Sequence, residues 1–303
     1  MTRSVLVVTH QGRAAAVRAS AQAVRALDAA GIRPVLEDEH HELDGCEMVL
    51  VLGGDGTILR AAELTRGTVV PVLGINLGHV GFLAESEREQ IDEVVRRIAA
   101  RDYEVEERGT VDVRVQRPGL QPEFSWALNE ATVEKAKRSR MIEVVIEVDG
   151  RPLSSFGCDG VVMSTSTGST AHAFSAGGPV VWPDVDAMLL VPLSAHALFA
   201  RPLVVGPDSV LAVEILARSA SDGALSCDGR RTLDVPAGSR IEVRRGTVPV
   251  RLARLGSAPF TDRLVSRFDL PVSGWRGRVA DEANDDSGTG GPYRDAGAHG
   301  TFT

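Results

Sequence analysis

The sequence predicts a two-lobed chain: an α/β lobe on a mostly parallel sheet, then a β-rich, largely antiparallel lobe. Three observations point there. Short apolar runs alternate with segments of helical period over residues 1–107, the pattern of strands separated by helices. From residue 108 the period changes to strict alternation, broken at short intervals by turn dipeptides. At 303 residues the chain is also long for one core.

In the first lobe, Val5-Leu6-Val7-Val8 reads as a strand, and Ala14 to Ala30, with Val17, Val24 and Leu27 at helical spacing, as a helix ended by Gly31. Arg33 to Leu36 and Glu47 to Leu52 read as the next strands, and Val69 to Asn76 as another. Glu87 to Arg101, with Ile91, Val94, Val95 and Ile98 on one face, closes the lobe as an amphipathic helix. In parallel sheets ligands collect at the carboxyl ends of strands, which here carry Asp55 and Asn76. The acidic stretch Glu37 to Asp44 contains His40 and His41, but adjacent imidazoles point apart, so it reads as a solvated loop rather than a metal site.

The second lobe is expected over residues 108–277. Val111, Val113 and Val115, then Ile142, Val144, Ile146 and Val148, then Ile241 and Val243 alternate with polar residues as half-buried strands do. Asp149-Gly150, Asp228-Gly229 and Pro236-Ala237-Gly238 separate them. Residues 278–303 are rich in Gly, Asp and Ser and are expected to be disordered.

Composition narrows the function. A net charge of -8 argues against general affinity for nucleic acid or anionic membrane. Cys46, Cys158 and Cys227 stand far apart with no Cys-x-x-Cys pair, which suits a reducing compartment. The start of the chain has neither a signal-peptide pattern nor a membrane span, so a cytoplasmic protein is expected.

Chemistry concentrates in three stretches. The first is Gly53-Gly54-Asp55-Gly56-Thr57, between the apolar run Met48 to Val51 and the helix-like Ile58 to Leu64. A strand feeding a glycine-rich turn into a helix delivers backbone N–H groups to a phosphate. Glycine at 53, 54 and 56 clears Cβ atoms from the approach and permits unusual backbone angles. Asp55 would repel an anion, so it calls for a role such as holding a cation or taking a proton. There is no Walker lysine and no Gly-x-Gly-x-x-Gly. Asp-Gly alone carries little weight, since it recurs at 149, 159, 222 and 228. The second stretch is Leu128-Asn129-Glu130-Ala131, where a carboxamide and a carboxylate either mark an exposed strand end or hold a ring nitrogen and a ribose diol. The third runs from Asp159 to Pro179 and places hydroxyl side chains around Gly168 ahead of a short Ala-rich turn, a source of hydroxyls and N–H groups for phosphate or sugar oxygens. Asn76 to Ala84, with Gly78 and Gly81, reads equally as a turn packing Phe82 or as a site contact.

With these blocks in this order, the sequence resembles the NAD kinase family over about residues 4–275. Gly-Gly-Asp-Gly-Thr alone is shared with lipid kinases of the diacylglycerol type, sphingosine kinases and phosphofructokinases; the Ser/Thr block singles out NAD kinases. The resemblance implies transfer of a phosphoryl group from ATP, or in some members polyphosphate, to the 2′-hydroxyl of the adenosine ribose of NAD. It implies Asp55 as the base, with Gly54, Gly56 and Thr57 approaching the phosphates. Asn129 and Glu130 would contact the adenosine part of the dinucleotide, Asp159 its nicotinamide end or that ribose, and Thr167 and the run Thr170, Ala171, His172 to Ser175 would wrap it. Arg60 and Arg140 are further candidates for phosphate or ribose. Mg²⁺ or another divalent cation would come mainly on the donor phosphates, and a homodimer or homotetramer is implied. The sequence departs from the family's usual Pro at Ser166 and Tyr at His172, which bears on affinity and pH response rather than on the reaction. The basic run Glu134 to Arg140 reads as a hairpin turn for its lysines. A lipid or sugar kinase, and a non-catalytic NADP(H)-binding regulator, remain as alternative functions.

Overall fold

The computed structural model describes residues 3–10, 14–37, 43, 45–77, 81–84, 86–87, 90–256 and 259–272. Most of the acidic loop, Gly78 to Val80 and the expected tail lie outside the described residues. The first lobe runs β1 (Ser4–Thr9), α1 (Ala14–Ala29), β2 (Arg33–Leu36), β3 (Cys46–Leu52), α2 (Asp55–Thr65), β4 (Val72–Asn76), β5 (Ser86–Glu87), α3 (Ile91–Ala100) and β6 (Glu104–Arg108). The second runs β7 (Val111–Gln116), β8 (Glu123–Ala127), β9 (Glu130–Lys135), β10 (Ile142–Val148), β11 (Arg151–Cys158), β12 (Gly160–Thr165), α4 (His172–Ser175), β13 (Met188–Leu193), β14 (Leu203–Val205), β15 (Leu211–Ile215), β16 (Gly223–Cys227), β17 (Arg231–Val235) and β18 (Arg240–Arg245). The chain then adds β19 (Val250–Arg254) and α5 (Phe260–Phe268).

The first sheet has the order β2-β1-β3-β4-β19-β6, with β5 beside β4. All its pairings are parallel except β19 with β6. Val5, Val7, Leu50 and Leu73 point to one face, under α1 and α3, while Leu6, Val8, Val49, Val51 and Val72 pack with α2 on the other. Apolar side chains on both faces explain why these strands are continuous apolar runs.

Within the stretch expected as the second lobe, 108–277, the antiparallel sheets run as far as β18. β19 crosses back and lies between β4 and β6, so the first sheet closes with a strand from the far end of the sequence. Its alternation identifies a strand but not the sheet it joins. The remaining strands form two six-stranded antiparallel sheets, β11-β10-β15-β18-β7-β8 and β14-β13-β12-β9-β16-β17. Their facing sides share one core, with Val113, Val144, Val213 and Ile241 from one sheet and Val133, Met163, Leu190 and Leu225 from the other. No helix among the described residues is long and apolar enough to cross a membrane.

The lobes are joined across α2. Leu128 and Trp126 pack into the cluster beneath it. The Glu63 carboxylate on α2 receives both Arg230 Nε and Nη2 at 3.0 Å, and Arg231 as well. Arg66 and Arg231 stack on the Trp126 ring at 4.1 and 4.4 Å. Glu63→Ala is expected to cost about 1–2 kcal/mol, since these groups are only part-buried. Thermal unfolding should show a drop of roughly 2–6 °C; an unchanged midpoint would remove the clamp from the account.

Candidate active site

β3 ends at Leu52 and the chain turns through Gly53 and Gly54 into α2. Gly53 N–H donates to Ile75 O at 3.0 Å, fixing the turn to the end of β4, and Gly54 O accepts the first helical bonds, from Thr57 N and Ile58 N. None of the three glycines has a left-handed φ, so backbone freedom is not what selects them. At 53 the reason is close packing, because a Cβ would lie 2.5 Å from Thr57 Oγ1. Thr57 is buried beneath it, which places its side chain under the loop. Gly54 and Gly56 are exposed, and a Cβ on either would point into open space. The first turn of α2 therefore presents unobstructed N–H groups at the positive end of the helix.

Asp55, the first residue of α2, turns its carboxylate toward a different backbone segment. Phe82 N–H donates to Oδ2 and Leu83 N–H to Oδ1, each at 3.2 Å. Gly81 makes this possible, since a Cβ there would stand 2.3 Å from Asp55 Oδ1. Phe82 packs its ring on Phe260 and Phe268 at 6.0 and 5.8 Å. Both readings of the 76–84 stretch thus hold at once: it packs an aromatic ring and touches the site. Gly53, Gly54, Asp55, Asn76 and Gly81 line a cavity of about 460 Å³ with His10 and Arg267. Sequence reasoning missed those last two, and only the return of the chain through α5 brings Arg267 here. Arg60 bonds Thr9 O at 2.7 Å and Glu37 at 2.9 Å, so it ties α2 to the end of β1.

The Asn129-Glu130 pair is buried, against the reading as an exposed strand end. Asp228, in the β16–β17 turn with φ 55°, accepts the N–H groups of Leu128, Asn129 and Glu130 at 2.9, 2.7 and 3.3 Å and pairs with Arg231 at 2.9 Å. Here one of the discounted Asp-Gly dipeptides is a structural keystone. The Glu130 carboxyl is pushed up to about 7, first by burial and then by the Asp228 charge, while the His172 N–H acts in the opposite direction. Its Oε2 has no hydrogen-bond partner among the described residues.

The hydroxyls of the third block divide. Ser164, Thr165, Ser166 and Ser169 turn inward and bond main-chain groups: Thr165 Oγ1 donates to Leu128 O at 2.6 Å, Ser169 Oγ accepts from Val181 N at 2.9 Å, and Ser166 donates to Val185 O. Ser166 thereby replaces the rigidity of a proline with a tie to the 181–187 segment. Gly168 lets the turn lie on the neighbouring strand, as a Cβ would meet Asn129 O at 2.1 Å. Thr167, Thr170 and Ala171 are half-buried, and His172 and Ser175 exposed. Phe174 reaches Phe268 at 4.6 Å, so α5 links this turn to Phe82.

Asp159 is not brought together with Glu130. The β9–β12 register pairs Ser164 with Glu130 and Gly160 with Glu134, so Asp159 stands five steps away, about 17 Å at roughly 3.3 Å per residue. It pairs there with Lys135 at 2.5 Å, which holds its carboxyl below the usual range. Arg140 is exposed in the adjoining turn.

A helix N-terminus opening on a cavity beside a fixed carboxylate, joined to a sandwich bearing a buried Asn-Glu pair, defines a two-lobed phosphotransferase of the nucleotide-handling kind. Residues 5–103 match the family model for the ATP-NAD kinase N-terminal domain, and residues 128–255 that for the ATP-NAD kinase C-terminal domain. The chain is 59% identical over 293 residues to NAD kinase 2 of Streptomyces coelicolor, and 60% identical over 295 residues to the NAD kinase of Leifsonia xyli; each match covers 91% of this chain and 97% of the other. The crystal structure of an NAD kinase from Archaeoglobus fulgidus in complex with ATP matches with a TM-score of 0.70 at 27% identity, covering 88% of this chain and 98% of that one. Yeast NADH kinase complexed with NADH shares the fold, with a TM-score of 0.81 at 21% identity over 91% of this chain and 90% of that one. The chain belongs to the NAD kinase family.

The raised Glu130 carboxyl makes a stability prediction. Below about 4.5 both folded and unfolded chains hold its proton, whereas between 4.5 and 7 only the folded chain does. The stability it contributes is therefore lost as pH rises through about 7. Relative to Glu130→Gln, wild type should lose about 3 kcal/mol between pH 4.5 and 8 in denaturant titrations; parallel curves for the two proteins would contradict it.

Proposed function

We propose that the protein transfers the terminal phosphoryl group of ATP to the 2′-hydroxyl of the adenosine ribose of NAD, giving NADP and ADP. The observation that carries this reading is the Asp55 carboxylate, fixed in the same cavity as the open N-terminus of α2. The hydroxyl proton passes to Asp55 as the ribose oxygen bonds the γ-phosphorus and the bridging oxygen leaves with its electron pair on ADP. Gly54 and Gly56 give the donor phosphates room to reach the helix N–H groups, and His10 and Arg267 line the same cavity. Thr57 shapes the loop from below.

No three His, Cys, Asp or Glu side chains converge on a metal position among the described residues. A divalent cation brought on the donor phosphates would face Asp55 and Asn76, oxygen ligands of the hard type it favours, and would neutralise charge on those phosphates. Polyphosphate, which presents the same repeating anion, is the alternative donor. Asn129, Glu130 and the 167–175 turn hold the dinucleotide, Glu130 through the carboxyl oxygen that has no hydrogen-bond partner among the described residues. Three free cysteines suit a cytoplasmic enzyme.

Asp159 stands about 17 Å along the strands from Glu130, at the far reach of an extended dinucleotide, and Leu198 and Phe199 are exposed on the loop that bridges His196 to Gly157 beside Asp159. A homodimer or homotetramer in which one copy's Asp159 meets the dinucleotide on another accommodates both facts. Asp55→Asn is expected to lower kcat for NADP formation with Mg-ATP by about 10²–10⁴-fold with the fold intact; equal rates would remove Asp55 as the base. Leu198→Glu should yield monomers by light scattering and raise KM for NAD, whereas an active, unchanged assembly would remove the shared site.

A further inference from the structure

A second cavity, of about 500 Å³, lies between β6, β19, α5 and the segment around Trp182. Its volume falls within the roughly 300–1,000 Å³ typical of small-molecule sites. Three guanidinium groups line it: Arg108 on β6, Arg254 on β19 and Arg263 on α5. Arg108 and Arg254 are each only 7% exposed. One half-buried carboxylate, Glu106, serves both, at 2.8 Å from Arg108 and 2.7 Å from Arg254. The other acids of the lining, Glu104 and Asp184, are exposed at the rim. The inner wall thus holds more buried positive than negative charge, and Arg108 Nε is buried with no hydrogen-bond partner among the described residues. Burial, then the neighbouring Arg254, disfavour the charged form of Arg108, an effect that Glu106 opposes and an incoming anion would relieve. The opposite wall is aromatic: the Trp182 ring, 45% exposed, meets Phe260 edge-on at 5.2 Å.

We propose that this cavity is a second nucleotide site, which takes the phosphate of a nucleoside monophosphate on Arg108 and its base against Trp182. An anion is the ligand that satisfies the orphaned donor, and a flat ring is what an exposed indole beside it selects.

The site is wired to Asp55. Arg254 Nη1 donates to Leu83 O and Arg263 Nη1 to Phe82 O, each at 3.2 Å. The N–H groups of those same two residues hold the Asp55 carboxylate from the other side. A phosphate that draws these guanidinium groups into the cavity loosens the two peptides that orient Asp55. Occupancy therefore lowers kcat without changing the hold on NAD.

The binding claim stands on this cavity alone, while its effect on rate rests on the kinase reading. Calorimetric titration of AMP into full-length protein saturated with NADP is expected to show one further site per chain. Arg108→Gln and Trp182→Leu should each weaken it at least tenfold, and inorganic phosphate should bind more weakly than AMP. In kinetics, AMP should lower wild-type kcat at least twofold with KM for NAD unchanged, while Trp182→Leu keeps the basal rate and loses the response. Absence of an additional site, an affinity indifferent to both substitutions, or phosphate binding as tightly as AMP would overturn the proposal. A protein that fails to bind NADP would instead overturn the kinase reading, and AMP titrated into the dinucleotide-free protein would still test the cavity.

Discussion

Two backbone N–H groups, those of Phe82 and Leu83, fix the Asp55 carboxylate, and much of the first lobe exists to bring the three residues together. A carboxylate at a helix N-terminus would otherwise turn toward that helix's own free donors and fill the place an anion needs. Held from the side, it leaves the N–H groups of α2 open to phosphate while staying in the same cavity. The arrangement demands that β3 and β4 end side by side, that the chain after β4 fold back over the mouth of the loop, and that residue 81 lack a Cβ. The contacts to the carboxylate itself come from main-chain N–H groups and from the close approach glycine permits.

The second lobe meets the same requirement by another route. Its Asn-Glu pair sits where a strand emerges from the sandwich, and free main-chain donors there would be costly if left buried. Asp228 satisfies three of them at once and is itself paired with Arg231, which also reaches Glu63 on α2. The helix α2 is thus tied, through one arginine and one aspartate, to the strand that presents Glu130. α5 adds a bridge on the other side, through Phe268 between Phe82 and Phe174.

Local pattern carried most of the architecture. The apolar runs of β1 and β3, the helical period of α3 and the alternation of β7 and β10 each name their element, because burial on two faces, one stripe or one face leaves a distinct period. The loop at 53–57, Asn129-Glu130 and the turn at 167–172 stand out because polar residues and glycines there break otherwise apolar elements. What did not show was non-local. Nothing in Val250 to Arg254 says that it enters the first sheet, and hence nothing places Arg267 beside Asp55. Asp228 looked like any Asp-Gly turn, since its role depends on donors a hundred residues away. Nor does the pattern tell which hydroxyls of the third block serve neighbouring backbone, as those of Ser164, Thr165, Ser166 and Ser169 do, a competition intrinsic to Ser and Thr side chains.

Gly81→Ala addresses the main-chain hold most directly, because it adds a single methyl group that would stand 2.3 Å from Asp55 Oδ1. With NADP formation followed at saturating Mg-ATP, the account predicts a fall in kcat of about 10²-fold. KM for NAD should stay within about threefold and the unfolding midpoint within a few degrees. A variant that turns over within twofold of wild type would contradict the claim that those two peptide groups orient the Asp55 carboxylate for the reaction.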